Sequence, residues 1–292
     1  MNKGIGIISE IMDMLTSVSF EHTFFEIAKT LRDARLLNGI LTNADFWYSL
    51  QKSEIDELEE VDRMLLRNIL GAPETTCIES LYLELGVIPI RIILKARRVV
   101  YLDYLATQNE NGTLYKAFIA QWKYPAEGDW TEEANKNLVE LGINLTLEDI
   151  KKKSEDSFKR MVKIKAKEYV FEYLHGLKAK HTKLDYLEYP ELKLQSYLID
   201  ENIPVNEARN LYRYRTRCAK YKENMKNGYI TTSLACPMCL VQPDTQSHSV
   251  QCPEVRAKVK VEGSYKDIFQ DEIPTDISKT LLRINKFRED FI

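Results

Sequence analysis

Ser53-Glu-Ile-Asp-Glu-Leu-Glu-Glu-Val-Asp-Arg-Met-Leu-Leu-Arg-Asn-Ile-Leu-Gly71 carries the signal that sets the fold class. Ile55, Leu58, Leu65 and Ile69 recur at helical spacing on one face, and the carboxylates of 54–62 fill the solvated one. Ser53 followed three residues later by Asp56 has the form of a capping box, and Gly71 with Pro73 supplies the stop. The helical style extends both ways. Residues 4–18 are apolar with polar breaks, and 22–50 continue so, with the aromatic cluster Phe46-Trp47-Tyr48. Downstream, a short helix through Leu81 and Leu85 stops at Gly86. Pro89 opens the next, which runs to about Gln108 and turns Ile90, Leu94, Tyr101 and Leu105 inward. Further helices are expected over 131–141, from Leu145-Thr146-Leu147-Glu148, over 151–175 with a stop at His175-Gly176, and over 190–201, 205–226 and 275–291. No strand pair stands out, a small hairpin within 231–256 aside. The expected class is therefore all-α. Asn109, Asn111, Gly112, Pro125, Gly128 and Asp129 make 107–131 the best boundary. The chain divides on this reading into 1–108, 109–150, 151–230, 231–256 and 257–292.

Near the C-terminal end, Cys236-Pro-Met-Cys239 and His248-Ser-Val-Gln-Cys252 read C-x2-C-x8-H-x3-C. Two closely spaced pairs of sulfur and nitrogen donors suit a tetrahedral zinc ion, and four protein ligands leave no open position for catalysis. The expectation is a structural Zn2+ on Cys236, Cys239, His248 and Cys252, whose binding supplies much of the folding free energy of a module too small for its own core. The remaining cysteines, Cys77 and Cys218, look isolated, which argues for a reducing compartment rather than a disulfide framework. His22, His175 and His181 have no evident partners and read as structural or exposed. With no apolar run of about 20 residues to cross a membrane and no signal-peptide pattern at the start, a nuclear or cytoplasmic protein is expected.

The net charge of −3 conceals a polarised chain. Residues 151–183 carry about +7 and residues 205–226 about +5. In the latter, Arg209, Arg213 and Arg217 recur at i, i+4 and i+8, and Tyr212 and Tyr214 interleave with Arg213 and Arg215, ahead of Lys220. Guanidinium groups fork onto phosphates and aromatic rings stack on unpaired bases, so this stretch beside a zinc knuckle reads as a nucleic-acid surface. The plain alternative is a solvated helix with Leu211, Tyr212 and Tyr214 packed on the core. Lysines of 151–167 would add sequence-independent phosphate attraction, or simply solvate an amphipathic helix. Arg91, Lys95, Arg97 and Arg98 form a third, smaller patch. No P-loop, nucleophile elbow, dinucleotide fingerprint or paired-aspartate polymerase motif is present, so no catalytic residue is assigned.

Several stretches together resemble one family. They are Lys3-Gly4-Ile5-Gly6-Ile7-Ile8; Leu37-Asn38-Gly39-Ile40-Leu41-Thr42-Asn43-Ala44-Asp45-Phe46-Trp47; Leu58-Glu59-Glu60-Val61-Asp62; and Leu66-Arg67-Asn68-Ile69-Leu70-Gly71-Ala72-Pro73. The strongest is Leu81-Tyr82-Leu83-Glu84-Leu85-Gly86 with Pro89-Ile90-Arg91 and Ala96-Arg97-Arg98. With the C-C-H-C knuckle, the chain resembles the C-terminal part of a non-LTR (LINE-type) retrotransposon reverse transcriptase, most strongly over 1–105 and 205–256. The resemblance implies a helical thumb that holds a primer–template duplex, a knuckle that engages nucleic acid, and RNA-directed DNA synthesis by the whole enzyme. Fingers, palm and endonuclease are not recognisable in this chain, so it is expected to be inactive alone, either as a truncated element copy or with the polymerase core encoded upstream or separately. Lys3, Arg91, Arg97 and Arg98 are the expected duplex-backbone contacts. Arg209, Arg213, Arg215, Arg217 and Lys220 are the expected RNA or single-strand contacts. The competing readings are a domesticated zinc-containing protein–protein adaptor and a metal-dependent nuclease, the latter disfavoured by the lack of a carboxylate cluster.

Overall fold

A computed structural model describes residues 2–19, 21–47, 50–224, 234–270 and 273–289. The protein is all-α. In chain order come α1 (Asn2–Thr16), α2 (Phe24–Leu31), which runs on through a π-helical stretch (Arg32–Leu37) into α3 (Asn38–Ile40), then α4 (Lys52–Leu70), α5 (Ile78–Leu85) and α6 (Ile90–Ala106). They are followed by α7 (Thr113–Lys123), α8 (Trp130–Glu140), α9 (Leu147–Lys151), α10 (Glu155–Lys178), α11 (Val205–Arg215), α12 (Gln246–Gln251), α13 (Pro253–Lys258) and α14 (Thr275–Glu289). Among the described residues the only β pairing is an isolated antiparallel bridge, Ala235 to Pro243. No described helix is long and apolar enough to cross a membrane. The chain folds as two units that interleave along the sequence: 1–8, 33–62 and 88–176 form the first, and 9–32, 63–87 and 177–292 form the second.

In the first unit, α6 is the central helix. Its Ile90 and Leu94 join Leu37, Leu41 and Ala44 in a buried cluster, with Trp47, Ile55 and Leu58 packed against it. Tyr101, expected inside, is half-buried at a rim of rings, 4.9 Å from Phe46 and 5.6 Å from Trp130. The long helix α10 buries Phe158, Val162, Ala166, Val170 and Leu174. That is one residue in four, a single stripe, each larger side chain contributing about 1.5–3 kcal/mol. The cations of α10 stay outside it.

In the second unit, α5 is buried from Glu79 to Leu85. It ends in a left-handed glycine, Gly86 at φ +59, with Val87 N–H donating to Tyr82 O at 3.1 Å. This 6→1 bond is the Schellman closure that a glycine at this position permits. A Cβ on Gly86 would lie 2.2 Å from the carbonyl carbon of Lys193. Gly86→Ala therefore combines a backbone penalty of about 1–2 kcal/mol with a collision against main chain that cannot swing away. Its urea-unfolding stability is expected to fall by more than about 2 kcal/mol; a loss under half that would mean the 193–194 segment yields. Further along, α11 buries Leu211, Tyr212 and Tyr214 and packs on α14. Tyr214 OH donates to Asn285 Oδ1 at 2.7 Å, and Ser278 Oγ donates to Glu207 Oε2 at 2.7 Å.

Several boundaries differ from the sequence expectation, each for a local reason. The cap of α4 lies two residues earlier: Gln51 N–H donates to Glu54 Oε2 at 2.7 Å, so Glu54 and not Asp56 reaches back. The turn-rich stretch 107–131 holds α7 between its turns. The expected 151–175 helix is broken at 152–154; Thr146 and Asp149 form a capping box on α9, and Ser154 Oγ accepts from Ser157 N–H at 3.3 Å to start α10. Gly176 does not stop α10, since a helix tolerates a glycine at a cost of about 1 kcal/mol when its apolar stripe is buried. Over 190–201 only one short 3-10 turn forms, Ser196–Leu198, because this segment runs past Gly86 and Gln195 N–H donates to Glu84 O at 3.1 Å. α11 stops at Arg215, and Arg217 is left-handed at φ +52. Tyr48 and the expected segments 225–226, 231–233 and 290–292 lie outside the described residues.

Candidate metal centre

The thiols of Cys236, Cys239 and Cys252 and the imidazole of His248 lie with their ligand atoms all within 4.8 Å of one another. Cys239 Sγ is 3.3 Å from His248 Nε2. A tetrahedral ion with three metal–sulfur bonds of about 2.3 Å and one metal–nitrogen bond of about 2.0 Å has ligand–ligand edges of roughly 3.5–3.8 Å. The group is thus sized to hold a metal ion. Cys236 and Cys252 are buried, while Cys239 and His248 are half-buried.

Backbone hydrogen bonds preset the ligands. Leu240 N–H donates to Cys236 O at 2.8 Å, and Cys236 N–H to Gln242 O at 2.7 Å, which fold the C-x2-C loop into a knuckle. Leu240 turns that knuckle at φ +57. On the return segment Thr245 Oγ1 accepts from His248 N–H at 3.0 Å and caps α12, so His248 sits in its first turn and Cys252 just beyond its end. Backbone donors at Gln242 and Val241 lower the Cys239 thiol to about 6, which favours the thiolate a metal requires. Burial instead pushes Cys236 up to about 11, so in the absence of an ion this thiol keeps its proton.

Within the second unit the knuckle is anchored by two buried polar residues, Asp244 and Gln246, for which the sequence offered no signal. Asp244 accepts from both terminal nitrogens of the Arg288 guanidinium, Nη2 at 2.6 Å, and from Lys222 N–H at 3.1 Å. The Arg288 guanidinium also lies over the Tyr221 ring, 4.1 Å from its centroid. Gln246 is fully buried; its Nε2 donates to Tyr214 O at 3.0 Å and its backbone N–H to Glu223 Oε1 at 2.6 Å. Their partners lie in α11, α14 and the 3-10 turn at Lys222–Asn224, too far away in sequence for spacing to reveal.

The arginines expected to meet nucleic acid are mostly committed within the protein. Arg209 Nε and Nη2 donate to the carbonyls of Ile69 (2.9 Å) and Asn68 (3.2 Å), and Arg213 Nε donates to Gly71 O at 2.7 Å. Together they cap the last turn of α4, whose carbonyls have no helical partner and whose dipole favours a cation. Arg215 is 1% exposed, pairs with Glu84 at 3.4 Å and donates to the carbonyls of Ile268 and Gln270. It presents no guanidinium at the surface, which corrects its expected role as a contact. Arg217 lies beyond the helix end and stacks on Tyr186, so the i, i+4, i+8 face does not form. Lys220 is exposed, as is Lys3.

In the first unit, Arg91 is held by Glu59 (2.6 and 2.8 Å) and Asp56 (3.1 Å), and Glu59 raises its pKa further. Arg98 is buried, with Nη1 on Asn137 Oδ1 at 2.8 Å, and burial lowers its pKa. Arg97, half-buried, donates to Leu41 O at 2.9 Å. The expected thumb cations thus hold helices together here. His181, read as lacking partners, lies 3.3 Å from Glu79. Comparison with protein families, with curated proteins and with solved structures finds no match for this chain.

Proposed function

We propose that this chain is a zinc-organised nucleic-acid-binding segment, the C-terminal part of a non-LTR retrotransposon reverse transcriptase, acting beside a polymerase core encoded upstream or separately. The carrying observation is the Cys3His group. Three thiols and one imidazole with all their ligand atoms within 4.8 Å of one another suit Zn2+ above hard cations, and four protein ligands would make the site structural. At the same knuckle Leu240 and Val241 are 75% and 78% exposed, with Leu240 in the left-handed region that costs a leucine about 1–2 kcal/mol. Strain held at an exposed apolar tip is a mark of use, and aliphatic side chains of this kind pack against bases. In this reading phosphate attraction at the knuckle's own unit comes from the exposed Lys220, while Arg209, Arg213 and Arg215 hold the frame.

The test is an anisotropy titration of single-stranded RNA with the zinc-loaded chain, repeated after chelation and with Leu240→Ala plus Val241→Ala. Affinity is expected to fall about tenfold or more between roughly 50 and 200 mM salt, the signature of a few phosphate contacts. Chelation should weaken it further, and the double substitution should weaken it without altering the salt slope. Binding that ignores both salt and chelation overturns the reading and favours the protein–protein adaptor.

A further inference from the structure

The second unit contains another set of metal-ligand side chains, apart from the Cys3His group. The ligand atoms of Cys77, Glu79 and His181 lie within 4.8 Å of one another. Cys77 Sγ and His181 Nε2 converge on the same carboxylate oxygen, Glu79 Oε2, at 2.8 and 3.3 Å. The sequence brings two of the three together cheaply: Cys77 is the residue before α5, and Glu79 is the second residue of that helix. His181 comes from about 100 residues later in the chain, just before a 3-10 turn at Thr182–Leu184. Cys77 and Glu79 are buried, whereas the His181 side chain is 45% exposed, so the cluster has one open side.

We propose that Cys77, Glu79 and His181 bind a divalent ion of the zinc class, with a solvent molecule in the fourth position. One thiolate, one carboxylate and one imidazole form a borderline donor set that suits Zn2+, and three protein ligands with an open position is the arrangement of an accessible rather than a closed site. The His181–Glu79 spacing equals a nitrogen–oxygen tetrahedral edge, about 3.3 Å for bonds near 2.0 Å, whereas Cys77 and Glu79, hydrogen-bonded at 2.8 Å, must open to a sulfur–oxygen edge of about 3.5 Å as the ion enters. The thiolate and carboxylate together neutralise the dication, so the buried half of the site carries no net charge when filled. Without an ion, burial and the Glu79 carboxylate hold the Cys77 thiol up at about 12, and the thiol donates to Glu79 Oε2. Ion binding displaces that proton to water as the sulfur–metal bond forms.

The experiment is elemental analysis of the full chain after zinc loading and removal of excess metal, with His181→Ala and Glu79→Gln beside it and circular dichroism to show that each variant is folded. Two zinc ions per chain are expected for the parent and one for each variant. Cobalt loading gives an independent readout: the parent should show charge-transfer absorption from two kinds of site, and His181→Ala should retain the three-thiolate spectrum alone. A parent that binds a single ion which both folded variants retain overturns the proposal. That outcome leaves the Cys3His group intact, because the variants do not touch it.

Discussion

Chelation of the metal-loaded chain is expected to abolish amide protection across residues 235–252 while leaving that of α10 unchanged. The reason is the sparse core of the knuckle. Among its described residues Leu234, Leu240 and Val241 point to solvent, and little besides Cys236, Met238, Val250 and Cys252 is buried apolar surface. Two of those four belong to the Cys3His group that could hold the metal. Metal binding contributes about 10–16 kcal/mol to small structural zinc modules, and without it three thiols and an imidazole are left crowded with no ion to organise them. The anchors Asp244 and Gln246 cannot replace it, since they fix where the return segment starts and not how the Cys236–Cys239 loop closes. Loss of the metal should also loosen the last turn of α14, where Arg288 would face a mobile Asp244. Hydrogen exchange read by mass spectrometry on the full chain, with and without chelator, checks this. Cys252→Ala should reproduce the chelated pattern in the presence of zinc. Protection over 235–252 that survives chelation would mean the segment folds on its polar anchors alone.

The helices and the ligand set were legible because both are written in local spacing. Ile55, Leu58, Leu65 and Ile69 show a period, Gly71 and Gly86 show stops, and the two donor pairs flanking 240–247 show a group that could hold an ion. What could not be read is which surface each cation faces. Arg209, Arg213 and Arg215 have the composition of a phosphate-binding face, yet two cap α4 and one is buried against Glu84. A guanidinium serves a helix carbonyl or a buried carboxylate with the same fork that it would offer a phosphate, so residue type alone does not separate these roles. The same blindness hid Cys77, Glu79 and His181, because the third ligand comes from a segment with no sequence relation to the first two. The missing helix over 190–201 has a tertiary cause: a backbone that runs beside a neighbour, as 193–195 does beside Gly86, bonds there and need not coil.

Replacing Glu84 by alanine is expected to destabilise the second unit by roughly 5 kcal/mol, summing the loss of a buried charge partner with the orphaned hydroxyls it leaves. Glu84 has no exposed surface. Its Oε1 accepts from Tyr189 OH at 2.7 Å and from Arg215 Nε at 3.4 Å, and its Oε2 accepts from Tyr197 OH at 3.0 Å. Burial, then the Glu84 charge, push both tyrosines well above their ordinary pKa, so both are donors at any physiological pH. Removing the carboxylate leaves the Arg215 cation, 1% exposed, with carbonyls and the Tyr197 ring but no anion. Breaking such a pair costs about 3–5 kcal/mol and each stranded hydroxyl about 1–3 kcal/mol, against a whole-domain stability of only about 5–15 kcal/mol. Glu84→Gln keeps one acceptor but not the charge and should fall between. The discriminating variant is Glu84→Leu with Arg215→Met, which removes both charges and fills the space. If the network's role is charge compensation, the double variant recovers most of the loss in urea unfolding, because a well-packed apolar pair often equals or exceeds a buried ion pair. If it stays as unstable as Glu84→Ala, the tyrosine hydroxyls and the Ile268 and Gln270 carbonyls that Arg215 serves are the larger part of what Glu84 organises. A Glu84→Ala protein within about 1 kcal/mol of the parent would sink the account altogether, since no buried carboxylate with three donors should be so dispensable.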